Sequence, residues 1–401
     1  MSLSSFQSVP STMPEFERII AQFDQSNKTP KQTAEPFLWA KDQLRLASAL
    51  FEHSKECSLD EFVPALDVAL TKSRLALEVA SQKHTPDIWA AAQYRIGAIW
   101  IANDEPEKAL EHFESALTVY SPEIAAKRWA ETMSDLASAF GTLAMRSVGV
   151  TSLVMSEAAI TTWDKLDEVF NQNDASRPLD IAKASRGAAQ ARMTLARQLG
   201  PQVRGNNLIS QAILCAETAK KQGMVSGEAA SFLEAAMLEA ECRRIQGDWD
   251  LTPIGLIHLR QAAELYTETA NGFEKIDSLD RAMRSWNSLS SICARKANRE
   301  LNKKARQRAR LAGLVACERT QSLALKTLSE ALLALSMWIE CEIRHGLWLE
   351  TGDQAHVVRG KLCASTAGAW YAIQGDKEKE AFLGGWLSQF EKTGSFFGFR
   401  W

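Results

Sequence analysis

Residues 86–122 read PDIWAAAQYRIGAIWIANDEPEKALEHFESALTVYSP, and this stretch decides the fold. Three prolines, Pro86, Pro106 and Pro122, punctuate it. Proline fits the first turn of a helix and breaks its interior, so each of the three marks a helix start. The two segments between them carry apolar residues at spacings of three and four, are rich in alanine and lack the alternation of a strand. Small residues (Gly97, Ala109, Ala116) sit among bulky ones (Ile96, Trp100, Phe113). The break between the segments is short, which forces antiparallel neighbours and predicts a helical hairpin.

The hairpin recurs. Trp89-Ala90 returns as Trp129-Ala130 after 40 residues, and Trp39-Ala40 lies 50 residues before it. At offsets of 7, 8 and 11 the three tryptophans are followed by Ile96, Gly97 and Trp100, by Leu136, Ala137 and Phe140, and by Leu46, Ala47 and Leu50. In the second helix, Ala109, Phe113 and Ala116 follow Gly97 at 12, 16 and 19. Together Ile96, Gly97, Trp100, Ala109, Phe113, Ala116 and Pro122 resemble the tetratricopeptide pattern, with the closing proline one residue late. The leading Trp-Ala and the period of 40 resemble the longer variant common in bacterial multi-repeat proteins. The resemblance implies an all-α fold, a right-handed superhelical solenoid of antiparallel helix hairpins. The units at Trp39 and Trp129 keep second-helix positions at Ala69, Ser73 and Ala76 and at Ala159, Trp163 and Leu166, each after an insertion of about ten residues.

Beyond Pro178 the pattern fades. Ala212/Ala216/Ala219 and Ala262/Tyr266/Thr269 look like degenerate second helices. The expected organisation is a loosely ordered leader over 1–34 with a short helical stretch near Pro14 to Phe23, repeats over 35–275, an irregular helical continuation or cap over 276–391, and an aromatic tail over 392–401. About sixteen helices are expected after the leader. Pro64, Pro178, Pro201 and Pro253 are read as further helix starts.

A chain of 401 residues exceeds the ~250–300 at which a single core stops growing, whereas a solenoid lengthens by adding units. The formal net charge of −3 implies no global pull toward nucleic acid or an anionic membrane. The longest internal stretch without a charge, Leu362 to Gly375, has 14 residues, short of the ~20 of a membrane span. The first fourteen residues lack the basic start and apolar run of a secretory signal. Seven scattered cysteines without a C-x-x-C suggest reduced, buried thiols. A cytoplasmic protein is expected.

No phosphate loop, dinucleotide fingerprint, zinc-protease or nucleophile-elbow motif occurs, so no catalytic residue, cofactor or metal is expected. Glu342-x-x-His345 would be half of a carboxylate di-iron site, but no second copy exists. Asp353 with His356, and His53 with Cys57, are read as ordinary polar pairs.

Three surfaces stand out. The resemblance places the inner groove on the first helix of each hairpin, which names Lys41 and Arg45, then Tyr94, Arg95 and Ile101, then Glu131, with Leu44, Ser48, Ala91, Ala98, Ser134 and Ser138 around them. The two asparagines of the family's carboxylate clamp are missing, which argues against a chaperone tail as ligand. A basic run from Arg281 to Arg310 holds ten Lys or Arg and one acid. Within it Arg295, Arg299, Lys303, Arg306 and Arg310 step by 4, 4, 3 and 4, one face if the helix is continuous. Asn298 and Asn302 could break it. The tail concentrates Phe396, Phe397, Phe399 and Trp401, residues suited to anchor on a solenoid end or another subunit. The expected role is an adaptor or regulatory subunit that binds a partner protein, in keeping with the signalling and defence assemblies in which the long variant occurs. A nucleic-acid-binding solenoid using residues 281–310 is the second reading, and a helical enzyme without a motif the third.

Overall fold

The computed structural model describes residues 15–26, 34–172 and 177–394. Among these residues there are sixteen α-helices and no strand. The chain divides into two compact units, Met1–Asp174 and Ala175–Trp401.

The first unit holds α1 (Glu15–Ser26) and three hairpins: α2 (Pro36–Ser54) with α3 (Leu59–Val79), α4 (Pro86–Ala102) with α5 (Pro106–Leu117), and α6 (Pro122–Arg146) with α7 (Gly149–Gln172). Pro86, Pro106 and Pro122 stand in first turns, as read, and so does Pro36. Pro64 does not: α3 starts at Leu59, so this proline lies inside the helix. It is only the sixth residue, so it forfeits a backbone bond at the edge of the ladder rather than in its middle. The helices α2, α4 and α6 touch one another in sequence, which makes them the inner layer of this unit.

The small and bulky residues of the repeat pattern meet in a close helix crossing. A Cβ on Gly97 would stand 2.7 Å from the Phe113 ring, so only glycine lets α4 and α5 cross here. Phe113, Ala109 and Ala116 are fully buried, and Ile96 nearly so. Burying a side chain such as Phe113 contributes ~2–3 kcal/mol.

The second unit holds α8 (Pro178–Leu199) with α9 (Val203–Ser226), α10 (Ala229–Trp249) with α11 (Pro253–Lys275), α12 (Leu279–Arg299) with α13 (Lys303–Thr327), α14 (Glu330–Thr351) with α15 (Gln354–Ile373), and a closing α16 (Lys377–Gly394). The last third lacks a readable motif, yet its helices are regularly placed. Pro178 to Leu279, Ala229 to Glu330 and Pro253 to Gln354 are each separated by 101 residues, and Val203 to Lys303 by 100. Helices α8–α11 and α12–α15 are therefore two double hairpins of one design. Helix α16 packs closely on α15: its Phe390 is fully buried and sits where a Cβ on Gly360 of α15 would be 2.5 Å from its ring.

Each double hairpin contains a buried carboxylate at the same place. Glu239 on α10, 3% exposed, is held by Lys220 of α9 and by Arg243, which also reaches Glu217 at 2.7 Å and Gln261 at 3.0 Å. Glu340 on α14, 1% exposed, accepts from Arg344 at 2.6 Å, Arg359 of α15 at 3.0 Å and Gln321 of α13 at 2.7 Å. Glu239 and Glu340 are 101 residues apart, as are Arg243 and Arg344. Burial alone would raise the Glu340 carboxyl, but the bonds from Arg359, Gln321 and Arg344 outweigh it and hold the group at about 2. Each node ties one helix to the helices before and after it.

Candidate functional site

The inner layer of the first unit gathers the residues transferred from the repeat pattern. Lys41, Leu44, Arg45 and Ser48 of α2 and Ala91 of α4 line one pocket of about 540 Å³, together with Asp87, Ile88 and Arg128. The last three were not singled out in the sequence. Asp87 precedes Ala91 by four residues and Arg128 precedes Glu131 by three, so the helical period places both one turn earlier on the same face. Leu44, Ile88 and Ala91 give the pocket an apolar floor. Its rim carries three cations, Lys41, Arg45 and Arg128, against the single lining carboxylate of Asp87. Arg45 is 72% exposed and contacts Asp42 one turn away at 3.2 Å. Arg128 spends one hydrogen bond on the Tyr120 hydroxyl at 3.3 Å and lies over that ring.

Further along the same face, α2, α4 and α6 meet at a second cluster. Tyr94 donates its hydroxyl hydrogen bond to Asp135 at 2.9 Å. Burial, reinforced by the Asp135 and Glu131 charges, raises the phenol. Burial also raises Asp135, against the lowering effect of the Tyr94 bond. Arg95 lies 4.7 Å above the Phe51 ring and 6.0 Å from the Tyr94 ring. Among the described residues no carboxylate reaches its guanidinium within ion-pair distance, and burial lowers its pKa. Glu131 stands 3.9 Å from Lys127. Ile101 is half-buried and, like Tyr94, packs against the cluster of Ala109, Phe113 and Leu136.

The basic run does not form a continuous face. Helix α12 ends at Arg299, and Asn302 caps the new helix α13 by accepting from the backbone of Lys304 and Ala305. Four of the five basic residues are spent inside the unit. Arg295 pairs with Asp248 at 2.9 Å. Arg299 donates to the carbonyls of Gly247, Asp250 and Thr252 at the end of α10. Arg306 binds Glu350 at 2.7 Å and the Glu300 and Leu301 carbonyls. Arg310 is buried, and bonds the Gly346 carbonyl at 3.0 Å as well as Glu350. For Arg299 and Arg306 the physical reason is the helix terminus: its last carbonyls lack intrahelical partners and carry partial negative charge, which arginine satisfies. Only Lys303 of the five is exposed without a partner among the described residues.

Among the described residues no group of three or more His, Cys, Asp and Glu could hold a metal ion. Glu342 and His345 go separate ways: burial raises Glu342 beside Arg295 and Asn298, while His345 stacks 4.8 Å from Trp386. Asp353 caps α15, and His53 pairs with Glu61 at 3.0 Å. No helix of the described residues is long and apolar enough to cross a membrane. Phe396, Phe397, Phe399 and Trp401 lie outside the described residues.

The fold and this groove define a tetratricopeptide-like helical repeat protein. No family model and no curated protein matches the sequence. Among solved structures, the apo form of RapI is similar with a TM-score of 0.54 at 10% identity, over 95% of this chain and 94% of that one. Aspartyl phosphate phosphatase F from Bacillus subtilis gives 0.50 at 11% identity, over 96% of both chains. Nro1, described as a nuclear import adaptor, gives 0.45 at 14% identity, over 77% of this chain and 95% of that one. At these identities the likeness shows the fold alone.

Proposed function

We propose that the chain is an adaptor or regulatory module that binds a partner protein, and that the inner layer of its first unit takes an acidic, extended segment of that partner. The observation that carries this reading is the pocket shared by α2, α4 and α6, with Lys41, Arg45 and Arg128 above an apolar floor and one carboxylate facing them. A partner segment would set an apolar side chain on Leu44, Ile88 and Ala91 and a carboxylate among the three cations, with Arg95 as a second anion contact farther along. A setting in a bacterial signalling or defence assembly is what the long repeat variant implies, and it belongs to this proposal. The nucleic-acid reading loses its support because Arg295, Arg299, Arg306 and Arg310 are engaged within the unit.

The test is affinity purification of the tagged chain from its source cells, with and without nuclease, beside a Lys41→Glu/Arg128→Glu variant. A stoichiometric protein that survives nuclease and is lost from the variant is the expected result. A partner retained by the variant removes the groove from the proposal. Recovery of nucleic acid alone removes the adaptor reading.

A further inference from the structure

The pocket of the first unit carries cations that its own carboxylate does not neutralise. Lys41, Arg45 and Arg128 stand against Asp87, an excess of two positive charges among the lining residues. Among the described residues Lys41 has no ion-pair or hydrogen-bond partner, and none of the three cations pairs with Asp87. Arg128 gives one hydrogen bond, to the neutral Tyr120 hydroxyl at 3.3 Å. Arg45 gives one, to Asp42 at 3.2 Å, and its side chain stays 72% exposed. A guanidinium has five donors and an ammonium three, so most donors on this rim are open.

These cations come from two helices. Lys41 and Arg45, four residues apart, share one face of α2, and Arg128 belongs to α6. The lining is completed by α4, whose first turn supplies Asp87 and Ile88. Thr85, the residue before that turn, gives it no side-chain hydrogen bond, and Pro86 has no N–H. The positive end of the α4 dipole therefore adds to the charge of the three side chains.

Charge and donor number together select the ligand. A carboxylate brings one negative charge on two oxygens. A phosphomonoester brings about 1.5 to 2 negative charges at neutral pH on three terminal oxygens. It matches the excess charge and has one oxygen for each of the three cations. Two of those are arginines, whose planar forks bind such oxygens in pairs. Leu44, Ile88 and Ala91 give the carbon atoms next to such a group an apolar surface, which a free ion would not use.

We propose that this pocket recognises a phosphorylated hydroxyl side chain of the partner segment. This rests on the pocket being the seat of that segment, and a phosphoryl group takes the place given there to a carboxylate.

Phenyl phosphate is the probe and phenylacetate the control, each titrated calorimetrically against the full chain. At neutral pH phenyl phosphate is expected to bind about tenfold or more tightly than phenylacetate. Its affinity is expected to fall severalfold by about pH 5, where a phosphomonoester loses its second charge. Among the described residues no histidine lines the pocket, so that fall reports the ligand. A Lys41→Met/Arg128→Met variant is expected to lose the preference. Equal affinity for the two probes, no binding of phenyl phosphate, or an unchanged preference in the variant would each overturn the phosphoryl assignment. Inorganic phosphate bound as tightly as phenyl phosphate would overturn the assignment to a protein segment. Phosphatase treatment of the cell extract before affinity purification is expected to remove the partner. A partner that withstands phosphatase yet is lost from the Lys41→Glu/Arg128→Glu variant would leave the adaptor reading intact and remove the phosphoryl group.

Discussion

On the inner face of the first unit, Arg95 and Arg128 end on aromatic rings, while in the second unit arginines end on carboxylates and helix carbonyls. Arg95 stacks on Phe51, and Arg128 covers Tyr120. Arg243, Arg299, Arg306, Arg310 and Arg359 instead give two or more donors to oxygen atoms of neighbouring helices or loops. A guanidinium has five donors in its plane. Stacking uses its face and takes few donors of that plane (one, to the Tyr120 hydroxyl, in Arg128), whereas bonding to carboxylates and helix-end carbonyls consumes it. On the proposed function the same side chain would serve recognition in one unit, while in the other it ties helices together, and the partners of its hydrogen-bond plane tell the two apart.

That contrast can be broken by substitution. The largest effect is expected from Glu340→Ala, which leaves Arg344 and Arg359 without their buried anion; removing one partner of such a set costs about 3–5 kcal/mol. Denaturant unfolding should show the second unit destabilised by that order, and a change below about 1 kcal/mol would mean the node is dispensable. Acid should act on the same unit. Burial works against ionisation of Glu241 and Glu340, but bonds from Arg244 and Tyr266 to the first, and from Arg359, Gln321 and Arg344 to the second, hold both at about 2, below the ordinary 4.5. Carboxylates held low give stability that is complete above pH 4.5 and lost as the pH falls toward 2. Melting temperatures recorded across that window should fall, and the fall should be smaller in Glu340→Ala. In the first unit, Gly97→Ala drives a methyl into the Phe113 ring and should cost about 1–3 kcal/mol. The smallest loss is expected from Arg95→Ala, whose contacts with Phe51 and Tyr94 are worth about 0.5–1 kcal/mol. Calorimetry should find this variant close to wild type in stability while its partner binding weakens by tenfold or more; a large loss of stability would class Arg95 with the arginines of the second unit.

How far the sequence could be read follows from how the helices are packed. The hairpin of α4 and α5 was legible because its small residue, Gly97, and its large one, Phe113, stand where the repeat pattern has them. In the second unit the same complementarity is kept but its bearers change. A Cβ on Gly313 of α13 would meet Ile343 of α14 at 2.7 Å, and one on Gly360 of α15 would meet Phe390 of α16. Close crossing needs one small and one large residue and is indifferent to which helix supplies each, so residue identity drifts while spacing persists. The groove was half legible: Lys41, Arg45 and Ala91 were placed by the pattern, and Asp87 and Arg128 needed the helix face to be followed back one turn. The basic run stayed open in the sequence because a spacing of 4, 4, 3 and 4 marks one face only while the helix is unbroken; of the two asparagines that could break it, Asn302 starts a new helix.

The spacing of 101 residues has a consequence for how such a chain changes length. Recombination between the two copies, which removes residues 229–329, joins α9 directly to α14. Glu340 then arrives where Glu239 stood, within reach of Lys220, and Arg344 takes the place of Arg243 opposite Glu217. Duplication by the same route adds one double hairpin with its buried carboxylate already matched. The shortened chain is expected to express as a soluble protein with unchanged helicity per residue, measured by circular dichroism, and an aggregated product would show that the copies are not interchangeable. Gene length in such a protein can move in whole structural steps, each of which brings its own interior charge partners with it.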